Sequence, residues 1–365
     1  MQRKKYAGIL LAGLLAVTAQ AQVVGGRFAM EFLRLPNAPH VSALGGINVA
    51  NPQQDISFAF QNPALLRPLL HNQLGLNYNS YYAGINIMNL NYGYHVPKLA
   101  TSFAFGVQYL NYGSFERTDV LGNQYGTFKA TDYALTLGAS RKYKERWRYG
   151  ANLKFAQSSL FEYRATGLLL DVGIAYEDTA NLITIGAVAK NMGFMLKKYN
   201  PGNTAEPLPF DLQLGISKRF RHLPLRLMAT VHHLYEWDIR YNNPADAEGN
   251  LFGSTEQNDP DKRYFADKLF RHFIFSAEFM IGKRLGIMAG YNHLRRSEMV
   301  LKERPATAGF SFGASLYLNK FQVHYARSSY HVAGAYNEIG INFAMNKLFS
   351  LGEAGERIGW NRSFE

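Results

Sequence analysis

Apolar and polar residues alternate with a period of two along most of the chain. In FDLQLGIS, Phe210, Leu212, Leu214 and Ile216 share one face, while Asp211, Gln213, Gly215 and Ser217 share the other. YALTLGAS from Tyr133, YGANLKFA from Tyr149, LDVGIAYE from Leu170, FSFGASLYL from Phe310 and EIGINFAMN from Glu338 repeat the pattern. Successive side chains of a strand point to opposite faces, so this periodicity predicts strands. The second face is small and polar rather than densely charged, which suits a closed lumen better than a sheet face in bulk water. Reading every such run predicts about fourteen strands. Their spans are 72–82, 84–95, 99–112, 130–142, 147–157, 163–177, 182–193, 209–221, 224–236, 269–283, 285–295, 306–318, 320–330 and 335–346. The second is the least regular, its phase slipping near Met88. Most reach the roughly 9–11 residues that cross a bilayer at a tilt.

Connector lengths sharpen the picture. Counted from the first strand, the even-numbered connections are short (VPK, YKER, DTAN, RHL, KR, N), whereas the odd-numbered ones include 113–129, 194–208, 237–268 and 296–305. Short and long connections therefore fall at opposite ends, as the periplasmic turns and extracellular loops of an outer-membrane barrel do. The predicted fold is all-β: a transmembrane antiparallel β-barrel of about fourteen strands.

Composition agrees with this. Aromatic residues make up 14% of the 365 residues, while mean hydropathy is only −0.20, as expected where lipid-facing and lumen-facing positions alternate. The start of the chain reads as a secretory leader, residues 1–21: a basic MQRKK, an apolar YAGILLAGLLAVT and an Ala19-Gln20-Ala21 cleavage site. Removing it lowers the formal charge by three from +12. The remaining basic residues cluster at short turns (Arg141, Lys142, Lys144, Arg146 and Arg148; Lys218, Arg219 and Arg221; Lys283 and Arg284). They form no single stripe, which argues against nucleic acid as a partner. Contact with anionic lipid headgroups accounts for them better.

One stretch breaks the alternation. FAFQNPALLRPLLH, residues 58–71, carries Pro63 and Pro68, which lack the donors an interior strand needs. Irregular backbone survives at membrane depth only when enclosed by protein or lining a cavity. Residues 22–71 are therefore predicted to form an N-terminal plug inside a barrel of residues 72–346, with 347–365 as a periplasmic tail. Asn62, Pro63 and Ala64 are its structural motif, with a turn at Asn62-Pro63.

An N-terminal plug with Asn62-Pro63-Ala64 ahead of fourteen strands resembles the FadL-like outer-membrane barrels. Within them, FLRLPNAPHVSALGGINVA from Phe32 and DISFAFQNPALL from Asp55 are similar to the PorV/PorQ branch of the Bacteroidetes type IX secretion system. The chain departs from that branch after Leu35-Pro36. It reads Asn37, Ala38, Pro39 and His40 where a small residue, Ala and Arg are common. The resemblance implies a non-enzymatic component of the cell-surface attachment complex. Its implied partners are outer-membrane lipid and lipopolysaccharide, a PorZ-like surface protein, a PorU-like sortase and a PorV-like barrel. The FadL-like architecture also admits a second reading, a transporter of hydrophobic small molecules. Bound lipid in a continuous apolar lumen would favour transport, and a lumen packed with charges around the plug would count against it.

Candidate chemistry is sparse. There is no G-x-S-x-G elbow, no H-E-x-x-H helix and no nucleophile beside an evident base, so neither an enzyme nor a cofactor is expected. Cys is absent, which removes thiolate metal sites. His232 and His233 are neighbours on a strand and are expected to point to opposite faces, unable to share a metal. His272, His293 and His324 read as lumen or rim residues. Asp238, Asp246, Glu248, Glu256, Asp259, Asp261 and Asp267 crowd one loop, but their spacing fails the EF-hand pattern and reads as solvated. The inward phase places Lys154, Asp171, Asp211, Arg226 and Glu278 in the lumen, to pair with one another, hold the plug or tune permeation. Outward Tyr78, Tyr133, Tyr149, Phe155, Tyr176, Tyr235 and Phe321 read as interfacial anchors.

Overall fold

A computed structural model describes residues 28–119, 121–200, 202, 206–239, 260–298, 307–331 and 334–349. The expected leader, residues 1–21, and most of the expected tail, 347–365, lie outside these residues. Fourteen strands close into one antiparallel barrel: β1 Gln73–Ser80, β2 Asn86–Val96, β3 Thr101–Thr118, β4 Gln124–Tyr143, β5 Trp147–Leu160, β6 Tyr163–Asp178, β7 Ile183–Lys197, β8 Asp211–Arg219, β9 Leu225–Val231, β10 Phe273–Ile281, β11 Leu285–Asn292, β12 Phe310–Tyr317, β13 Phe321–His331 and β14 Gly334–Ala344. Each strand pairs with its neighbours in sequence, and β1 closes on β14 with Gln73 opposite Ala344 and Ser80 opposite Asn337. Closure removes the free edges that an open sheet would expose.

The alternation sorts the wall into two faces. On β8, Asp211, Gln213, Gly215 and Ser217 are buried, while Leu212, Leu214 and Ile216 are exposed. Phe105, Leu137, Leu153, Ile174, Leu214 and Ile287 belong to an exposed apolar outer surface found all round the barrel. Such a continuous surface is stable in hydrocarbon and a liability in water, so the strands span a membrane. No helix among the described residues is long and apolar enough to do so.

Three sequence expectations need correction. The strand β2 runs in unbroken phase, with Ile87, Asn89, Asn91 and Gly93 inward and Met88 and Leu90 outward. The apparent slip is Ile87, an apolar residue on the inward phase, buried in one cluster with Leu110 and the plug residues Phe32 and Leu33. Residues 113–129 are mostly not loop: β3 and β4 continue as a projecting hairpin, leaving 119–123 as the connection. The regular pairing of β9 ends at Val231 rather than near 236, because the backbone turns at His233, where φ is +55°.

The described residues before β1 contain no strand. Short 3-10 turns, Glu31–Arg34, Ile56–Phe60, Pro63–Leu65 and Pro68–Leu70, and one short helix, Pro39–Ala43, fill the interior of the barrel. Val41, Leu44, Ile56, Phe58, Leu65 and Leu66 are almost completely buried. Phe58 and Leu65 belong to one cluster with the wall residues Ala175, Met228, Met288 and Ala326. Burying each such side chain is worth about 1.5–3 kcal/mol, so plug and wall share a core.

Candidate functional site

Asn62 caps the turn Pro63–Leu65: its Oδ1 accepts from the Ala64 N–H at 3.0 Å. Its Nδ2 donates to the Val49 carbonyl at 2.9 Å and to the Ile174 carbonyl of β6 at 3.2 Å. Pro63 fits the first position of the turn because its missing N–H is unneeded there. This corner lies against glycines of β5, β6 and β7. A Cβ at Gly173 would stand 2.0 Å from Asn62 Oδ1, one at Gly186 2.0 Å from the Val49 carbonyl oxygen, and one at Gly150 2.7 Å from the Pro63 carbonyl carbon. The plug backbone reaches the wall only because these positions lack side chains. The glycines sit on the inward phase, but nothing in the alternation says what approaches them.

The lumen charges sit at this interface. Lys154 Nζ lies 2.6 Å from Asp171 Oδ2 and donates to Asn191 Oδ1 at 2.9 Å. Arg226 bridges wall and plug, donating to Asn51 Oδ1 at 2.6 Å and standing 3.4 Å from Glu278 Oε2. Glu278 also accepts from the plug residue Gln53 at 2.6 Å. Asp211 takes its bonds locally, from Gln213 Nε2 at 2.7 Å and the His233 N–H at 2.7 Å. Charge-assisted bonds of this kind compensate the desolvation of buried ions.

Two groups went unnoticed in the sequence. Glu338 on β14 accepts from Ser42 Oγ of the plug at 2.6 Å and from Asn79 at 2.8 Å; its place on the inward phase was the available signal. His40 and Asp55 of the plug meet His324 of β13, with His40 Nδ1 3.3 Å and His324 Nε2 3.9 Å from Asp55 Oδ2. Burial pushes the Asp55 carboxyl up, but the hydrogen bond from His40, the neighbouring imidazoles and the Ser57 N–H outweigh it and hold it well below the carboxylate range. His40 and Asp55 stand in the non-periodic plug, where no pattern could have paired them with β13. His272 is buried, with Nδ1 2.8 Å from the His232 carbonyl, and His293 opens the helix His293–Glu298 and lies 3.4 Å from Asp267.

Above the plug, at the end with the long connections, lies a vestibule of about 560 Å³. Phe28, Leu33, Ile47, Ile239 and Leu294 give it apolar walls, and Arg34, Lys190 and Arg295 bring positive charge. Between plug and wall, beside Asn37, Gln61, Lys154 and Lys190, the space shrinks to about 40 Å³. Among the described residues, then, room for a ligand lies above the plug and little remains beside Lys154 beneath it.

On the vestibule wall the structure overturns the expectation for His232 and His233. Their rings converge, Nδ1 to Nδ1 at 2.5 Å, with Asp211 Oδ2 3.9 Å from His233 Nδ1. The Leu234 N–H bonds the Leu212 carbonyl, one residue out of the register that pairs Leu214 with Val231. That extra residue is a bulge, and with φ at +55° His233 swings to the inner side. Strict alternation holds only where the ladder is regular.

Of the acidic loop, Asp238 pairs with Lys268 at 2.9 Å and Asp267 with Arg271 at 2.7 Å. Asp246, Glu248, Glu256 and Asp259, and the side chain of Asp261, lie outside the described residues. Tyr78, Tyr149 and Tyr235 are exposed on the outer surface, while Tyr133, Phe155, Tyr176 and Phe321 are partly covered.

Strand pairing, outer surface and filled lumen together define a plugged, fourteen-stranded β-barrel of the outer-membrane type. No protein-family model and no curated protein matches the chain. Among solved structures it is similar to a mutant of the TodX monoaromatic hydrocarbon channel, at 14% identity and a TM-score of 0.48, covering 85% of this chain and 97% of that one. The CymD monoaromatic hydrocarbon channel is similar at 13% identity and 0.46, covering 86% and 97%, and a Pseudomonas aeruginosa FadL homologue at 12% and 0.43, covering 84% and 96%. None of these similarities points specifically to the PorV/PorQ branch or to type IX secretion. The class rests on the strand pairing itself.

Proposed function

We propose that this barrel is an outer-membrane channel that takes a small apolar or amphipathic molecule into its vestibule, with the plug as the gate below. The vestibule carries the reading. Its volume of about 560 Å³ falls in the range of small-molecule sites, and apolar walls with a few charged groups are how such sites bind and orient a ligand. Arg34 and Arg295 suit a ligand with a carboxylate or phenolate end. Passage requires the plug to shift, since the space between plug and wall narrows to about 40 Å³. Small molecules retained by the gently solubilised protein should be identified by mass spectrometry, and uptake into proteoliposomes measured for wild type and Leu294→Trp. Retention of an apolar ligand, with uptake reduced by the tryptophan, supports the reading. A vestibule that retains nothing, and proteoliposomes no more permeable than empty ones, overturn it.

A second reading is favoured by one observation: the pair Arg226–Glu278 and its bonds to Asn51 and Gln53 fasten the plug to the wall. A permanently sealed barrel is better suited to docking than to transport. On this reading it is delivered by the leader at residues 1–21. It then anchors an attachment complex with a PorZ-like surface protein, a PorU-like sortase and a PorV-like barrel near lipopolysaccharide. Recovery of those partners with the tagged protein from native outer membranes would favour it, and their absence together with measurable uptake would remove it.

A further inference from the structure

We propose that Asp211, His232 and His233 form a binding site for a divalent transition-metal ion of the zinc class, on the wall of the vestibule. One ligand atom from each of the three lies within 4.8 Å of the other two. The two imidazoles meet through Nδ1 at 2.5 Å. To hold one ion, both rings carry the proton on Nε2 and the two Nδ1 atoms part to the spacing of tetrahedral ligands, about 3.3 Å. Asp211 supplies a carboxylate oxygen 3.9 Å from His233 Nδ1. Two imidazoles and one carboxylate are the donor set of many three-ligand zinc sites, whose fourth position stays open. Imidazole also suits copper and nickel, whereas calcium and magnesium require oxygen donors.

Two further observations point to a ligand rather than to a packed histidine pair. His232 is 1% exposed, and the buried Oε1 of Gln213, whose amide nitrogen donates to Asp211, has no hydrogen-bond partner among the described residues. The backbone is also built around the cluster. Asp211 Oδ1 accepts the His233 N–H at 2.7 Å and so holds the bulge that turns both rings inward. The His232 carbonyl accepts from His272, and the His232 N–H donates to the His272 carbonyl at 3.0 Å. The three ligands and Gln213 all line the vestibule, which provides an entry path and room for a fourth ligand. Arg34 and Lys190 line it too, so an anionic fourth ligand, such as a carboxylate on a bound molecule, fits the open position. The other buried group, His40 with Asp55 and His324, is enclosed between plug and wall.

The test uses the full chain in detergent, stripped with a chelator and titrated with Zn²⁺ by calorimetry, with bound metal counted by mass spectrometry. One equivalent is expected per chain. Affinity should fall about tenfold or more in His233→Gln and Asp211→Asn and stay unchanged in His324→Gln. Heat-modifiable electrophoretic mobility reports whether each variant is folded. Should either ligand variant fail to fold, Co²⁺ added to the wild type decides, since this donor set gives the intense visible absorption of a four-coordinate ion. Failure of the wild type to take up stoichiometric Zn²⁺ overturns the proposal. So does undiminished binding in both ligand variants, loss only in His324→Gln, or a weak octahedral Co²⁺ spectrum.

Discussion

The seat of the plug at Gly173 gives the most demanding prediction. In Gly173→Ala the new methyl would stand 2.0 Å from Asn62 Oδ1 and 3.0 Å from Pro63 Cδ, so the Asn62 side chain must leave. It then loses its bonds to the Ala64 N–H and to the carbonyls of Val49 and Ile174. Overpacking costs about 1–3 kcal/mol and each buried polar group left unpaired a similar amount, so the variant should lose about 2–5 kcal/mol. Asn62→Ala removes the same bonds without the clash and should cost about 1–3 kcal/mol. In the double variant the methyl meets no Oδ1 and only the 3.0 Å approach to Pro63 Cδ remains, so its cost should exceed that of Asn62→Ala by far less than the Gly173→Ala cost. Urea unfolding in detergent measures the cycle, and hydrogen exchange at the Ala64 amide reports the plug directly. Additivity within about 0.5 kcal/mol, the behaviour of independent sites, would falsify the account of the seat.

Three further outcomes follow from the same geometry. Lys154→Met leaves the Asp171 carboxylate buried without its partner at 2.6 Å and should cost about 3–5 kcal/mol, largely recovered when Asp171→Leu is added; equal unfolding midpoints for the two variants would contradict this. Leu214→Arg places a cation on the lipid face of β8 and should destabilise the barrel by about 2–4 kcal/mol in bilayers, whereas no loss would mean that this face meets water. On the helix Pro260–Arg271, burial raises the Asp267 carboxyl, but the Arg271 hydrogen bond and charge and the His293 contact outweigh it and hold it below its ordinary 3.8. A depressed carboxylate contributes its stability above the unfolded value and loses it as pH falls through the folded one. Protection of the amides of residues 265–271, relative to their intrinsic exchange rates, should therefore hold steady above about pH 4 and fall below it. The effect should be below about 1 kcal/mol because the pair is partly exposed, and protection that rises on acidification would refute it.

What could be read in the sequence is what depends on local period. Leu212, Leu214 and Ile216 declared a lipid face because successive side chains of any strand point to opposite sides, whatever the rest of the chain does. The same rule set the number of strands and placed Lys154, Asp171, Asp211, Arg226 and Glu278 on the inner wall before their partners were known. It failed where the ladder is irregular. One inserted residue at His233 undid the alternation and brought two imidazoles together, and bulges of this kind carry no dependable signature in the order of residues. Only the tertiary structure decided who meets whom across the lumen. Asn62 meets Gly173, and His40 meets His324, because the plug backbone is aperiodic and its contacts lie far apart in the chain. The alternation could mark an inner face, but it took closure of the barrel around the plug to bring each inward side chain to its partner.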